Sequence, residues 1–375
     1  MNQSTTTTGP LGVGIIGAGV ISTQYLEHLS SFPDVRVLAI GDIVPEAAAA
    51  RAEEFGVPAH GGVEVVLENP EIEIVVNLTI PVAHFEVSKA ILDAGKHVWS
   101  EKPLTTDRES AQELLRYAEE KGLRVGGAPD TVLGAGIQSG LRAVASGEIG
   151  EVRSGLALFR TPGPESWHPS PEFLFQIGAG PLFDIGPYYF TSLVLAHGPV
   201  ARVSAVGSQS VPERTIGSGP KGGTVFEVEV PTQVSALLQF ENGSNASVLL
   251  SFDAGTNYPH VLEVQGSRGT IALPDPNVFD GPSKVALREN TEEPAWSEQE
   301  ATGPVFGRGL GLLEMGRAIR AGVPHRLTGE LAAHVLDIMV SVGEAVDSGA
   351  IVEVASTATV PEPLPADFDP AAATL

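Results

Sequence analysis

Leu11-Gly-Val-Gly-Ile-Ile16, followed by Gly17-Ala18-Gly19-Val20-Ile21-Ser22, is the stretch whose reading decides the fold. Its first six residues read as a short apolar strand, and a helical pattern follows to about Ser31. Between them stands the dinucleotide fingerprint, with Ser22 in the place of the third glycine. Gly17 permits a tight turn, and Gly19 lets the backbone approach a pyrophosphate at the helix N-terminus. The third position asks only for a residue small enough for close helix–strand packing. Gly17, Gly19, Val20 and Ile21 are therefore candidate cofactor contacts. A lone G-x-G is weak evidence, but here a second apolar run, Val35 to Ile40, ends at Asp42, about twenty residues past the loop. An acid at that place accepts hydrogen bonds from the adenosine ribose hydroxyls and repels a 2′-phosphate, which favours NAD over NADP. The competing reading makes Asp42 a turn residue ahead of Pro45.

Outward from this unit the chain keeps alternating. The pattern predicts helices at 45–55, 62–68, 82–94 and 107–121, and strands near 58–60, 72–78, 96–99 and 123–126. Strands apolar on both faces, alternating with helices, define a parallel sheet covered on both sides, so the fold class is α/β with an N-terminal Rossmann domain. Open sheets of this kind bind ligands beyond the carboxyl ends of their strands. That rule singles out Thr79 and Pro81 after one strand, and Glu101-Lys102-Pro103 after the next. Lys102 can orient a nicotinamide and a hydroxyl together; the plainer reading is a surface lysine before a helix. His84 either faces the cofactor or is a satisfied structural histidine, and His97 reads as core.

These residues carry a resemblance. Gly17 to Ser22, the acid at Asp42, Thr79-Ile-Pro81-Val-Ala-His84 and Gly95-Lys-His-Val-Trp-Ser-Glu101-Lys102-Pro103-Leu104 resemble the Gfo/Idh/MocA family, the relatives of glucose–fructose oxidoreductase and inositol dehydrogenase. The similarity spans nearly the whole chain, and Glu101-Lys102-Pro103 is its most specific part. The resemblance implies an NAD(P) enzyme whose Rossmann domain is followed by a C-terminal α+β domain with a large, open-faced, mainly antiparallel sheet. It also implies that Lys102 lies beside the nicotinamide and the substrate hydroxyl.

Residues 11–130 thus form the expected cofactor domain after a flexible tail, 1–10. Residues 131–360 form the expected substrate and oligomerisation domain, and the Pro- and Ala-rich segment 361–375 is expected to be mobile. Asp130, ending the last parallel strand, either faces the pocket or serves a turn. The family often carries a basic residue soon after this point, whereas this chain has none until Arg142. In the stiff loop Thr161 to Pro171, Trp167 and His168 either wall a sugar ring or pack a surface loop; an aromatic face suits the apolar face of a carbohydrate. Asp184 and Tyr188 stand four apart, on one face if the turn is already helical. On residue pattern alone they read as a helix cap and a core aromatic. The resemblance places them in the second active-site motif, with Tyr188 where histidine is usual. A free tyrosine titrates near about 10, and a neighbouring ammonium favours the phenolate, so a Lys102–Tyr188 pair is a workable acid/base, with His168 as the competing base. Farther on, Glu241-Asn-Gly-Ser244 between two alternating runs marks a hairpin. Helices are expected at 305–321 and 328–348. Arg308 and His334 either reach the pocket or, on the plainer reading, are surface and core residues respectively.

The formal charge of −24 argues against nucleic acid or an anionic membrane as partner. The absence of cysteine excludes disulfides, thiolate catalysis and cysteine-based zinc sites, and none of the nine histidines falls in a metal-ligand spacing. No apolar run reaches membrane length and the start lacks a signal-peptide core, so a cytoplasmic protein is expected. A small polyol or sugar is the expected substrate, and a homodimer or homotetramer the expected assembly. Oxidation of a secondary alcohol on a sugar or cyclitol, or the reverse reduction, leads. The alternatives are a redox-neutral enzyme with retained NAD, which oxidises transiently and then eliminates a leaving group, and a non-catalytic NAD or sugar sensor.

Overall fold

The structure is a computed structural model that describes residues 9–288 and 295–375. It divides into two compact units. The first comprises residues up to Ala135 together with Gly303–Ala333 and Leu364–Leu375, and the second comprises Gly136–Thr302 with His334–Pro363.

In the first unit, β1 (Leu11–Ile16) is buried along its whole length. It runs into α1 (Val20–Leu29), β2 (Val35–Gly41), α2 (Pro45–Phe55), β3 (Ala59–Gly61), α3 (Glu64–Leu67) and β4 (Ile74–Asn77). Then come α4 (His84–Asp93), β5 (His97–Ser100), α5 (Arg108–Lys121) and β6 (Val125–Gly127). The six strands lie in the order β3-β2-β1-β4-β5-β6, every neighbouring pair parallel. This is the doubly wound dinucleotide-binding order. Because all strands point the same way, the turns after β1, β2, β4 and β5 share one edge of the sheet. Pro at the first turn of α2 and left-handed glycines at 56 and 122 show why the helices start and stop where the sequence indicates.

The second unit is built on α6 (Ala135–Ala145), β7 (Val152–Arg160), α7 (Gly180–Asp184) and α8 (Gly186–His197), followed by β8 (Val200–Ser208), β9 (Glu213–Thr215), β10 (Val225–Glu227), β11 (Gln233–Phe240) and β12 (Asn245–Ser251). After these come β13 (Val261–Gly266), β14 (Gly269–Ala272), β15 (Ser283–Leu287) and β16 (Ser297–Gln299). A nine-stranded sheet runs in the order β16-β15-β14-β13-β7-β12-β11-β8-β17, where β17 is Val352–Glu353. Its pairs are antiparallel except β7 with β12. The expected hairpin at 241–244 joins β11 to β12. Alternation decides the faces: Val234, Ala236, Leu238 and Phe240 are buried, as are Ala246, Val248 and Leu250. The opposite face carries Leu237, 60% exposed, and across the pairing register Val206, Ser235, Leu249, Leu158 and Val261 stand in one row.

β10 does not extend the large sheet; among the described residues it pairs with β9 in a separate two-stranded ribbon. Two expectations need correction. Residues 303–333, including α9 (Leu310–Ala321), belong to the first unit rather than the second. There Gly311 lies so close to Trp99 that a Cβ would approach its ring to 2.1 Å, so the absence of a side chain is what lets α9 dock. The tail is not loose in this structure either. Asp34, 1% exposed, accepts hydrogen bonds from the Thr374 amide at 2.8 Å and hydroxyl at 2.7 Å and from the Leu375 amide at 3.1 Å. Arg317 bonds the Asp369 and Ala372 carbonyls at 2.8 and 2.7 Å and stacks on Phe368. Composition misled because most of these ties are made by the tail's backbone, which any sequence possesses.

Candidate active site

At the carboxyl edge of the parallel sheet, Gly17 adopts φ +108°, and a Cβ there would meet the Leu78 carbonyl at 2.6 Å. Only glycine passes beneath that strand end. Gly19, the N-cap of α1, faces open space instead. Ser22 is fully buried and returns its hydroxyl to the Gly19 carbonyl at 2.6 Å, filling the third small position. Asp42 links the two turns beside it, accepting from the Ala18 amide at 2.7 Å and from the Val44 amide at 2.8 Å. A carboxylate offers about four acceptor sites, so two remain for ribose hydroxyls. The open glycine turn and this acid fit a dinucleotide: Gly17 and Gly19 would admit the pyrophosphate and Asp42 would hold the ribose.

Around this edge Val20 and Ile21, named from the sequence, are joined by four apolar residues that the sequence reading overlooked, Ile43, Val44, Ile80 and Val82. Val20 is 85% exposed, Ile43 92%, Ile80 66% and Val82 74%, with Val44 also exposed. Ile21 is half-buried. Large apolar side chains left in water in successive turns mark a ligand surface. Their signal was present, since they are the aliphatic residues just past three strand ends, where ordinary loops are polar.

Thr79 and Pro81 occupy the turn after β4, where sequence placed them. Asn77, fully buried and also overlooked, shapes that turn: its Oδ1 accepts the Thr79 hydroxyl at 2.7 Å while its Nδ2 donates to the His84 carbonyl and Ser88 hydroxyl at 3.0 Å. Lys102 follows β5 and is half-buried; its peptide bond to Pro103 is cis. His84 does not offer its ring to a ligand. It is 1% exposed, with Nδ1 at 2.6 Å from the Pro103 carbonyl and Nε2 at 3.0 Å from the Thr79 carbonyl. It therefore ties the Lys102-Pro103 turn to the Thr79 turn. Burial holds its pKa below the usual histidine range, while the two carbonyls pull upward.

Two further expectations change. Glu101 is only 8% exposed and turned inward, its Oε1 accepting from the Tyr25 hydroxyl at 2.9 Å and its Oε2 from the Lys102 amide at 3.0 Å. Asp130 is fully buried and does not reach a pocket. Its Oδ2 accepts from the Gly309 amide at 2.7 Å ahead of α9, and its Oδ1 lies 3.7 Å from the Arg308 guanidinium. Burial pushes Asp130 up to about 6, opposed by Arg308. Arg308 is 8% exposed, not the surface residue expected.

In the second unit, the 161–171 loop carries Trp167, 67% exposed, edge-on to His168, which is edge-on to Phe173. His168 Nδ1 accepts from the Ser170 amide at 3.1 Å, so the neutral ring carries its proton on Nε2. Arg214 braces the loop, a role sequence reading did not assign. It is ion-paired to Glu165 and Asp253 and donates to the Pro162 and Phe252 carbonyls at 2.9 and 3.0 Å. Asp184 ends α7, half-buried, and Tyr188, 5% exposed, lies in the first turn of α8. The helix is interrupted at Ile185 between them, so Asp184 ends the short α7 while Tyr188 belongs to the separate α8. Among the described residues, no group of three or more His, Asp or Glu could hold a metal ion, and no helix is long and apolar enough to cross a membrane.

The strand order, the glycine turn and the acid after β2 define a dinucleotide-binding Rossmann domain. Residues 11–127 match the family model of the NAD-binding Rossmann fold of the Gfo/Idh/MocA oxidoreductases, and residues 138–272 match that family's C-terminal domain. The chain belongs to the Gfo/Idh/MocA family. It is 30% identical to an uncharacterised oxidoreductase of Rhizobium meliloti over 83% of this chain and 89% of that protein. It is 27% identical to levoglucosan dehydrogenase of Pseudarthrobacter phenanthrenivorans over 70% of this chain and 73% of that enzyme. A solved levoglucosan dehydrogenase in complex with NADH and L-sorbose superimposes with a TM-score of 0.79 at 23% identity, covering 92% of this chain and 99% of that one.

Proposed function

We propose that this oxidoreductase moves a hydride between a secondary alcohol carbon of a sugar, cyclitol or related polyol and NAD. The observation that carries the reading is Lys102, set at the carboxyl end of β5 and tied through its turn to the Thr79 turn. NAD⁺, when bound, supplies the hydride acceptor. The glycine turn admits its pyrophosphate, Asp42 holds the adenosine ribose and disfavours a 2′-phosphate, and Val20, Ile43, Ile80 and Val82 cover apolar surface. Lys102 orients the substrate hydroxyl through its ammonium. Tyr188 takes the hydroxyl proton, with His168 as the competing base, and Asp184 orients its partners by hydrogen bonding. Trp167 lies against the apolar face of the sugar ring. The sugar dehydrogenases among its relatives support a substrate of this class.

The test is NADH absorbance on mixing the protein with NAD⁺ and a panel of sugars, cyclitols and glycosides, with Lys102→Met in parallel. A signal with one polyol, lost by at least about a thousandfold in Lys102→Met while NADH binding persists, is the expected outcome. Full turnover by the variant would remove Lys102 from the mechanism. Product formed from a glycoside without an NADH signal would instead favour the redox-neutral enzyme.

A further inference from the structure

Glu101 is a nearly buried carboxylate whose two oxygens are both committed. Burying such a charge is unfavourable unless partners compensate. Here they converge from separate elements of the first unit. Tyr25 from α1 donates to Oε1 at 2.9 Å, and the Tyr25 hydroxyl receives the Trp99 indole N–H from β5 at 3.3 Å. The Arg308 guanidinium stands 4.0 Å from the same oxygen and 3.7 Å from Asp130. Burial, then the Glu101 and Asp130 charges, raise Tyr25 well above the ordinary tyrosine value, so it remains a phenol and a donor. The other oxygen, Oε2, receives the backbone N–H of Lys102 at 3.0 Å. The Glu101 amide donates to the Asn77 carbonyl at 3.0 Å, anchoring the residue to the neighbouring strand end.

We infer that Glu101 is the positioning residue of Lys102: its carboxylate, held by Tyr25 and Arg308, fixes the Lys102 amide and so the origin of the lysine side chain. His84 holds the following residue through the Pro103 carbonyl, so the turn is gripped on both sides of Lys102. The inference rests on the reading of Lys102 as the group that orients the substrate hydroxyl. A glutamine could keep the geometry, its Oε1 accepting from the Lys102 amide and its Nε2 donating to the Tyr25 oxygen. A leucine would fill the space and leave both donors unanswered. A reacting group displaced by about an ångström can lose a hundredfold in rate.

The experiment compares Glu101→Leu, Glu101→Gln and Tyr25→Phe in the full chain. It reads thermal stability, NADH affinity by fluorescence, and kcat and KM for the polyol that the wild type turns over. Glu101→Leu is expected to lower kcat about a hundredfold with KM and NADH affinity within about threefold, and Tyr25→Phe about tenfold, while Glu101→Gln stays within about threefold. Wild-type kcat in a folded Glu101→Leu, or equal losses of stability and kcat in all three variants, overturns the inference. If Glu101→Leu fails to fold, Tyr25→Phe and Glu101→Gln carry the comparison. A second readout needs no substrate. The chain has six lysines, so the isotope-labelled dimethyl-lysine signal of Lys102 can be assigned by its loss in Lys102→Arg. That signal is expected to shift and broaden in Tyr25→Phe and Glu101→Leu but not in Glu101→Gln. No shift in either variant overturns the positioning role even if the wild type oxidises no polyol.

Discussion

His197 should make the protein acid-labile. The ring is 3% exposed and stacked on Phe240 with centroids 4.5 Å apart and planes 13° apart. Nδ1 meets the Ser244 hydroxyl at 3.1 Å, and Nε2 is buried on the side of Gly155, without a hydrogen-bond partner among the described residues. A proton added there would find no acceptor, and burial lowers the pKa from 6.5 to about 4. The folded pKa lies below the unfolded one, so the unfolded chain binds the extra proton first. The stabilisation is complete above about pH 6.5 and is lost as pH falls toward 4. Taking both pKa values, the loss between about pH 7.5 and about pH 5 is roughly 2 kcal/mol. His197→Leu cannot take up that proton. At about pH 7.5 it should be less stable than the wild type by about 1–2 kcal/mol, through the lost hydroxyl bond and stack. At about pH 5 the wild type should have lost that advantage, shifting the difference by about 2 kcal/mol in favour of the variant. Urea unfolding followed by far-UV circular dichroism at both pH values measures it. An equal difference at the two pH values would refute the argument.

Two shorter predictions follow from other parts of the molecule. Asp42→Ala should weaken NADH binding by about tenfold and narrow the preference over NADPH, measured by fluorescence titration of both nucleotides; an unchanged preference would mean that the acid does not face the ribose. Leu237 lies on the open face of the nine-stranded sheet, the surface expected to be covered in a homo-oligomer. Leu237→Asp should therefore reduce the sedimentation mass of an assembled protein to that of one chain, and an unchanged mass would place the interface elsewhere.

The parallel sheet was legible in the sequence because its signals are local. Strands β1, β2 and β4 are short, largely apolar runs, α1 begins at Gly19, α2 and α5 end at Gly56 and Gly122, and α2 spans the residues its pattern predicts, Pro45–Phe55. The glycine turn was legible for the same reason. What sequence order could not carry was how distant groups meet. Arg308 reads as a surface cation, yet it pairs with an aspartate far back in the chain. Asp130 and His84 are polar residues at strand or helix ends, which suggests a pocket. Each is instead consumed by backbone groups, Asp130 by the Gly309 amide and His84 by the Thr79 and Pro103 carbonyls. Arg214 was missed because nothing near it in sequence shows that Glu165 and Asp253 converge on it. His334, by contrast, lies fully buried as its helical context indicates, accepting from the Val200 amide at 3.0 Å.

The first unit is assembled from three separate lengths of chain, and this bears on how it is made. A ribosome that has released residues up to Ala135 has delivered all six parallel strands but not the helix that covers Trp99 and Gly126. Until residues 303–333 emerge, that apolar surface has no native cover. Until Thr374 and Leu375 emerge, neither has the buried carboxylate of Asp34 its full set of donors. Nascent chains stalled before residue 303 are therefore the ones that should engage chaperones through the cofactor domain.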